Sequence, residues 1–150
     1  MSVSPSPYRV ASVKVASQES NTLFDSFQSR LSALREMVAQ SENRSATLTR
    51  LIGMGESRRL ARAKDVEVGS YALGHNSASV SADTTTGGRV YQTRITFQPR
   101  TGFRCTCPDV HNRQVPCKHV LALAMSAYAQ VGDNRIFLLE DVRKAEAELP

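Results

Sequence analysis

Three cysteines and one histidine constrain this chain more than any other feature. They stand in Cys105-Thr106-Cys107-Pro108 and, further on, Pro116-Cys117-Lys118-His119, and the pattern reads C-x-C, nine residues, C-x-H. Every cysteine of the protein is in this stretch. Three thiols and an imidazole supply four soft or borderline donors, the set that a tetrahedral zinc ion prefers.

The spacing can be tested against backbone geometry. On an extended strand, Cys105 and Cys107 point the same way, but their Cα atoms lie about 6.6 Å apart. Two sulfurs on one tetrahedral zinc are only about 3.8 Å apart. The chain must therefore curl after the strand, and Pro108 is placed to end the ladder there. Cys117 and His119 pose the opposite problem, because i and i+2 on a regular helix point roughly 200° apart. Both reach one metal only if Cys117 stands at the start of a helix and His119 in its first turn. Pro116 suits a helix start, and Val120 to Gln130 reads as the helix. First-turn N–H groups also favour a thiolate at Cys117.

Other readings of the four residues compete with zinc. Three unrelated buried cysteines would not be expected to fall in two ligand-spaced pairs. A disulfide framework fits neither the odd count nor a start, Met1 to Val10, without an apolar core of a secretion signal. A Cys–His catalytic pair lacks an orienting group nearby, and i,i+2 pairs seldom make a nucleophile and its base. Three-cysteine, one-histidine iron–sulfur proteins of the CDGSH type share C-x-C, but their His falls four residues after the third Cys, where this chain has Leu121. Their Pro stands two residues before that Cys, whereas Pro116 is adjacent to Cys117.

The pattern resembles the SWIM zinc finger, whose signature is C-x-C, a variable gap, then C-x-H. Cys105, Cys107, Cys117 and His119 carry the resemblance, with Pro108 and Asp109 after the second Cys and the apolar run Val120 to Ala124 after the His. It extends over residues 92–128. The resemblance implies a β-β-α module holding one structural Zn²⁺ on those four residues. The family occurs in plant transposases, chromatin-remodelling ATPases and small recombination factors. It implies binding to DNA or to protein partners and no catalysis of its own. Four protein ligands leave no open position for water, which a catalytic zinc needs. His111, between the ligand pairs, is the alternative to His119; His75 is a lone loop histidine.

Charge points in the same direction. The formal net charge is +5, and it is unevenly placed. From Arg89 to His119 there are six basic residues and one acid, Asp109; from Arg44 to Lys64 there are six basic residues and one acid, Glu56. A basic middle fits contact with nucleic acid, DNA above RNA, while ordinary solubility accounts for a charge of this size equally well. Arg100, Arg104, Arg113 and Lys118 are the candidate phosphate contacts. Arg58 and Arg62, four apart, share a helix face and can also meet a phosphate. Three thiols kept as ligands fit a reducing intracellular space, and no apolar run reaches the ~18 residues of a membrane span.

The remaining chain reads as an α+β protein: an N-terminal amphipathic helix or helix pair, a small antiparallel sheet, and the zinc module. Residues 1–20, with Pro5 and Pro7, read as a flexible tail with a weak strand signal at Val13 and Val15. Residues 21–64 read as helical, capped by Ser20 or Asn21. Phe24, Phe27, Leu31, Leu34 and Val38 form a 3,4-spaced stripe that weakens at Ser41 and Ser45 and returns at Leu48 and Ile52. One long helix and two helices broken at 41–45 fit equally. The stripe either docks on its own domain or grips a protein partner or a second copy. Residues 65–130 hold the sheet: a strand through Val66, Val68, Tyr71 and Leu73 kinked at Gly69, another at Ala78 to Ser81, a loop Asp83 to Gly88, and a clear alternation from Val90 to Phe97. A tight turn, Pro99 to Gly102, then delivers a strand Phe103 to Cys107. Residues 131–150 read as a turn at Gly132-Asp133-Asn134, a short apolar run Ile136 to Leu139, and a polar helix Glu140 to Leu149.

Overall fold

The computed structural model describes residues 16–109 and 115–149. The expected tail up to residue 15, with Val13 and Val15, lies outside the described residues, as do His111 and Arg113. The fold is α+β, with helices α1 (Ala16–Gly53) and α2 (Ser57–Ala63), strands β1 (Glu67–Val68), β2 (Ser79–Thr86), β3 (Arg89–Thr96) and β4 (Gly102–Cys105), and helix α3 (Lys118–Glu148).

Helix α1 is one continuous helix that starts at Ala16, ahead of the expected cap. No glycine or proline occurs between Pro7 and Gly53, so nothing in the backbone breaks it. The polar residues of the fading stripe are accommodated rather than excluded. Ser41 is buried and donates to the Val131 carbonyl at 3.5 Å. Arg44, one residue off the expected Ser45, is 3% exposed. Its guanidinium donates to the carbonyls of Gln40 and Ser77 and lies 5.3 Å from the centre of the Phe97 ring. Burial pushes its pKa down from the usual arginine value.

The four strands form an antiparallel sheet in the order β1-β2-β3-β4. β2 runs to Thr86, further than the sequence suggests, because Thr84, Thr85 and Thr86 are β-branched and pair fully with β3. The expected loop shrinks to Gly87 and Gly88, both at positive φ (57° and 77°), the backbone of a two-residue hairpin that only glycine adopts without strain. β1 is correspondingly short, two residues paired with Thr84 and Thr85. The alternation in β3 is as read: Thr93, Ile95 and Phe97 face inward, and Gln92 and Arg94 face outward.

The chain divides into two compact units. Gln40–Asp133 is one of them. Its core joins the inward face of the sheet (Val80, Ala82, Ile95, Phe97) to Leu48 and Leu51 of α1 and to Val120, Leu123, Ala124 and Ala127 of α3. Ile95, Leu48 and Leu123 are fully buried, and each burial stabilises by about 1.5–3 kcal/mol. A second cluster packs Ala63 of α2 and Val66 against Leu121 and Ala122 of α3.

The other unit comprises the described residues up to Ala39 and those from Asn134 on. Here α3 departs from expectation, running through Gly132-Asp133-Asn134 without a turn. A single glycine inside a helix costs only about 1 kcal/mol against alanine, less than the rest of a helix of this length recovers by packing. Ile136 to Leu139 is therefore helical, and Ile136, Phe137 and Leu139 are exposed. Of the α1 stripe, Leu31 is buried, Phe27, Leu34 and Val38 are half-buried, and Phe24 is exposed. Arg30 pairs with Glu148 at 2.9 Å and Arg35 with Glu146 at 2.6 Å, both at the surface.

Candidate metal centre

Cys105 ends β4 and is held by the register Thr93↔Cys105 on the inward face of the sheet. The chain then leaves the ladder as the spacing requires. Thr106 N–H bonds the Gln92 carbonyl at 3.1 Å, and its hydroxyl accepts from Gln92 N–H at 3.0 Å, so the strand curls and carries Cys107 round. Cys117 stands immediately before α3, and its carbonyl accepts the N–H of Leu121 at 3.0 Å. His119 is the second helical residue. The expectation of a cysteine at the helix start and a histidine in its first turn is met.

The four donor atoms lie within 4.8 Å of one another, and all four residues are buried. His119 Nδ1 is 3.7 Å from Cys117 Sγ, close to the roughly 3.6 Å that a sulfur and a nitrogen on one tetrahedral zinc require. The other ring nitrogen, Nε2, lies 2.9 Å from Thr86 Oγ1. Nδ1 thus faces the sulfurs as the ligand, and Nε2–H donates to the threonine hydroxyl, which fixes tautomer and ring orientation. Tyr91 covers the imidazole at a centroid distance of 4.4 Å. Below Cys105, Thr93 Oγ1 is 3.5 Å from the sulfur and 2.9 Å from Thr84 Oγ1, and Thr84 in turn donates to the Tyr91 carbonyl.

Electrostatics prepare the cluster for a cation. Hydrogen bonding from the Cys117 thiol holds Cys105 far below the ordinary thiol range, down to about 3; burial opposes this, and His119, Thr93 and the Cys107 backbone add to it. Cys117 is pushed up, first by the Cys105 thiolate beside it and then by burial. A divalent cation at this place favours the thiolate form of its cysteine ligands. Buried sulfurs with closed four-donor geometry fit one structural Zn²⁺ and leave no place for a reacting water.

The loop after Cys107 is tied to α2. Arg59, 8% exposed, donates to both oxygens of Asp109 at 3.0 and 3.1 Å and to Glu56 at 2.9 Å. Hydrogen bonding to Asp109, against the cost of burial, raises its pKa above the usual arginine value.

The candidate phosphate contacts are not brought together. Arg104 lies on the outward face of β4, directly opposite Arg94 of β3. Lys118 lies elsewhere, beside Arg58 and Arg62 of α2, along a hollow next to the metal cluster. Arg100 is exposed on the β3–β4 turn, and Arg113 is outside the described residues. The supporting residues Thr86, Thr93, Tyr91, Arg59 and Arg94 were not singled out from the sequence. Alternation did place Tyr91 and Thr93 on one face, and that face carries Cys105.

The family model for the SWIM zinc finger matches residues 104–128. Neither the curated proteins nor the solved structures gave a match to the chain. With all four buried donors inside the matched span, residues 104–128 are a SWIM zinc finger built around one structural zinc ion.

Proposed function

We propose that this protein is a nucleic-acid-binding accessory factor, with duplex DNA the favoured ligand, whose zinc shapes the fold and which acts by binding rather than by catalysis. The observation that carries this reading is the outward face of the sheet. Helices pack on its inward face, while Arg94 and Arg104 stand directly opposite each other on the outward one, both exposed. Like charges facing each other across a sheet cost stability. An anion between them removes that cost. Ser81, whose hydroxyl accepts from Arg94 Nε at 3.0 Å, lines the same open hollow of about 720 Å³ with Gln92, Thr106 and one carboxylate, Asp83, so the two arginines leave the lining net positive. No aromatic ring is among its lining residues, so the surface suits phosphates rather than stacked bases.

The test is titration of the zinc-loaded chain with duplex and single-stranded DNA at about 50 and about 200 mM salt. Binding that weakens steeply with salt is expected. Binding indifferent to salt, or none, contradicts the proposal.

A second reading, a protein-interaction adaptor with the finger as scaffold, draws on the terminal unit. Phe137 is 68% exposed and Ile136 63%, in the same unit as the half-buried α1 stripe. In this reading these side chains meet a protein partner; among the described residues no helix is long and apolar enough to cross a membrane.

A further inference from the structure

We infer that Arg58 and Arg62 of α2, together with Lys118 of α3, form a second clamp for the phosphate backbone of nucleic acid, beside the zinc centre and apart from the Arg94–Arg104 face. The inference rests on the nucleic-acid reading above and extends it to Arg58 and Arg62, which lie outside the SWIM-matched span.

The three cations line one hollow of about 380 Å³ with Arg59, Asp109 and Tyr91. What separates them is how the local acids are used. Asp109 and Glu56 both bond Arg59, whose guanidinium is nearly buried. Among the described residues, Arg58, Arg62 and Lys118 have no carboxylate partner. Arg58 and Arg62 are one turn apart, so their stems leave the same face of α2 about 5–6 Å apart. Arg59, the residue between, is turned towards the finger instead.

The hollow is also held in shape. Ala63 is buried and Leu60 half-buried against Leu121 and Ala122, in the helix that begins at Lys118. The Arg59–Asp109 pair fastens the same short helix to the loop that follows Cys107. That packing holds the α2 backbone, and with it the spacing of the two arginine stems, before a phosphate arrives, and a guanidinium fork matches phosphate oxygens in pairs. A run of phosphodiesters supplies the regularly spaced charges that three such cations meet. Contacts made to phosphates add affinity without sequence preference.

The experiment compares the zinc-loaded full chain with Arg58→Gln/Arg62→Gln and Arg94→Gln/Arg104→Gln. Fluorescence anisotropy with two duplex DNAs of unrelated sequence is read over a salt series. Both substituted pairs are exposed, and zinc content and melting temperature check that the fold is kept. For Arg58→Gln/Arg62→Gln, the slope of log affinity against log salt should become shallower by about 1.8, two phosphate contacts at about 0.9 each, equally for both DNAs. A wild-type slope in that variant, with wild-type binding intact, overturns the clamp and leaves the functional proposal standing. Absence of DNA binding by the wild type overturns both. Loss on only one DNA sequence also overturns the clamp, because it would mean base readout.

Discussion

Replacing Thr86 by valine tests the metal centre without touching a ligand. Valine keeps the β-branched shape and strand preference, so the hairpin pairing with Arg89 remains. Only the hydroxyl that meets His119 Nε2 at 2.9 Å is lost. His119 is 3% exposed and covered by Tyr91, so its N–H loses its partner in a largely buried place. That costs about 1–3 kcal/mol, and the ring is also free to turn away from the sulfurs. At about 1.4 kcal/mol per tenfold, zinc affinity should fall roughly 10–100-fold, the range seen when such outer partners are removed. Competition for zinc against a coloured chelator at neutral pH measures it, and Thr86→Ser should recover most of the loss. A Thr86→Val affinity within about threefold of wild type, too small a change for this range, would show that Nε2 does not orient the ligand, and the assignment of Nδ1 to the metal would fall.

Three further outcomes are expected. Cys117→Ser should unfold the Gln40–Asp133 unit, because structural zinc contributes about 10–16 kcal/mol in finger peptides, more than most domains hold in reserve; a wild-type melting temperature would contradict a structural zinc. Gly132→Ala should stabilise by about 0.5–1 kcal/mol, because the added methyl meets nothing within 4 Å and the residue is inside α3; destabilisation in a denaturant melt would mean the helix turns there after all. Arg44→Ala should cost about 2–4 kcal/mol in the same assay, through the cavity beside Phe97 and the lost bond to the Ser77 carbonyl; a cost below about 0.5 kcal/mol, the range of ordinary surface substitutions, would show that its burial is not structural.

The metal centre was legible in the sequence because its constraints are local. Spacings of two residues force a curl after Cys105 and a helix start at Cys117, and alternation in β3 sets which face meets the cysteines. The expected loop Asp83 to Gly88 contained the turn at Gly87-Gly88, although β2 ran further forward into it, through three threonines, than the loop-like composition implied. What escaped was decided by contacts distant in sequence. Nothing near Arg59 announces that Asp109, 50 residues on, accepts from it, or that Glu148 meets Arg30 across 118 residues. Gly132-Asp133-Asn134 carries an ordinary turn signal, and packing along α3 overrides it. The four candidate cations were grouped by closeness in sequence, yet adjacent strands and helices send Arg104 and Lys118 to different surfaces.

The division of the chain has a consequence for its synthesis. Gln40–Asp133 is one uninterrupted stretch, whereas the other unit joins residues up to Ala39 to residues from Asn134 on. Every residue of the finger unit is synthesised before the second half of the terminal unit exists. The finger unit therefore needs no residue of the terminal unit to close on zinc, whereas Arg30 and Arg35 have their partners Glu148 and Glu146 only once the last turns of α3 are made.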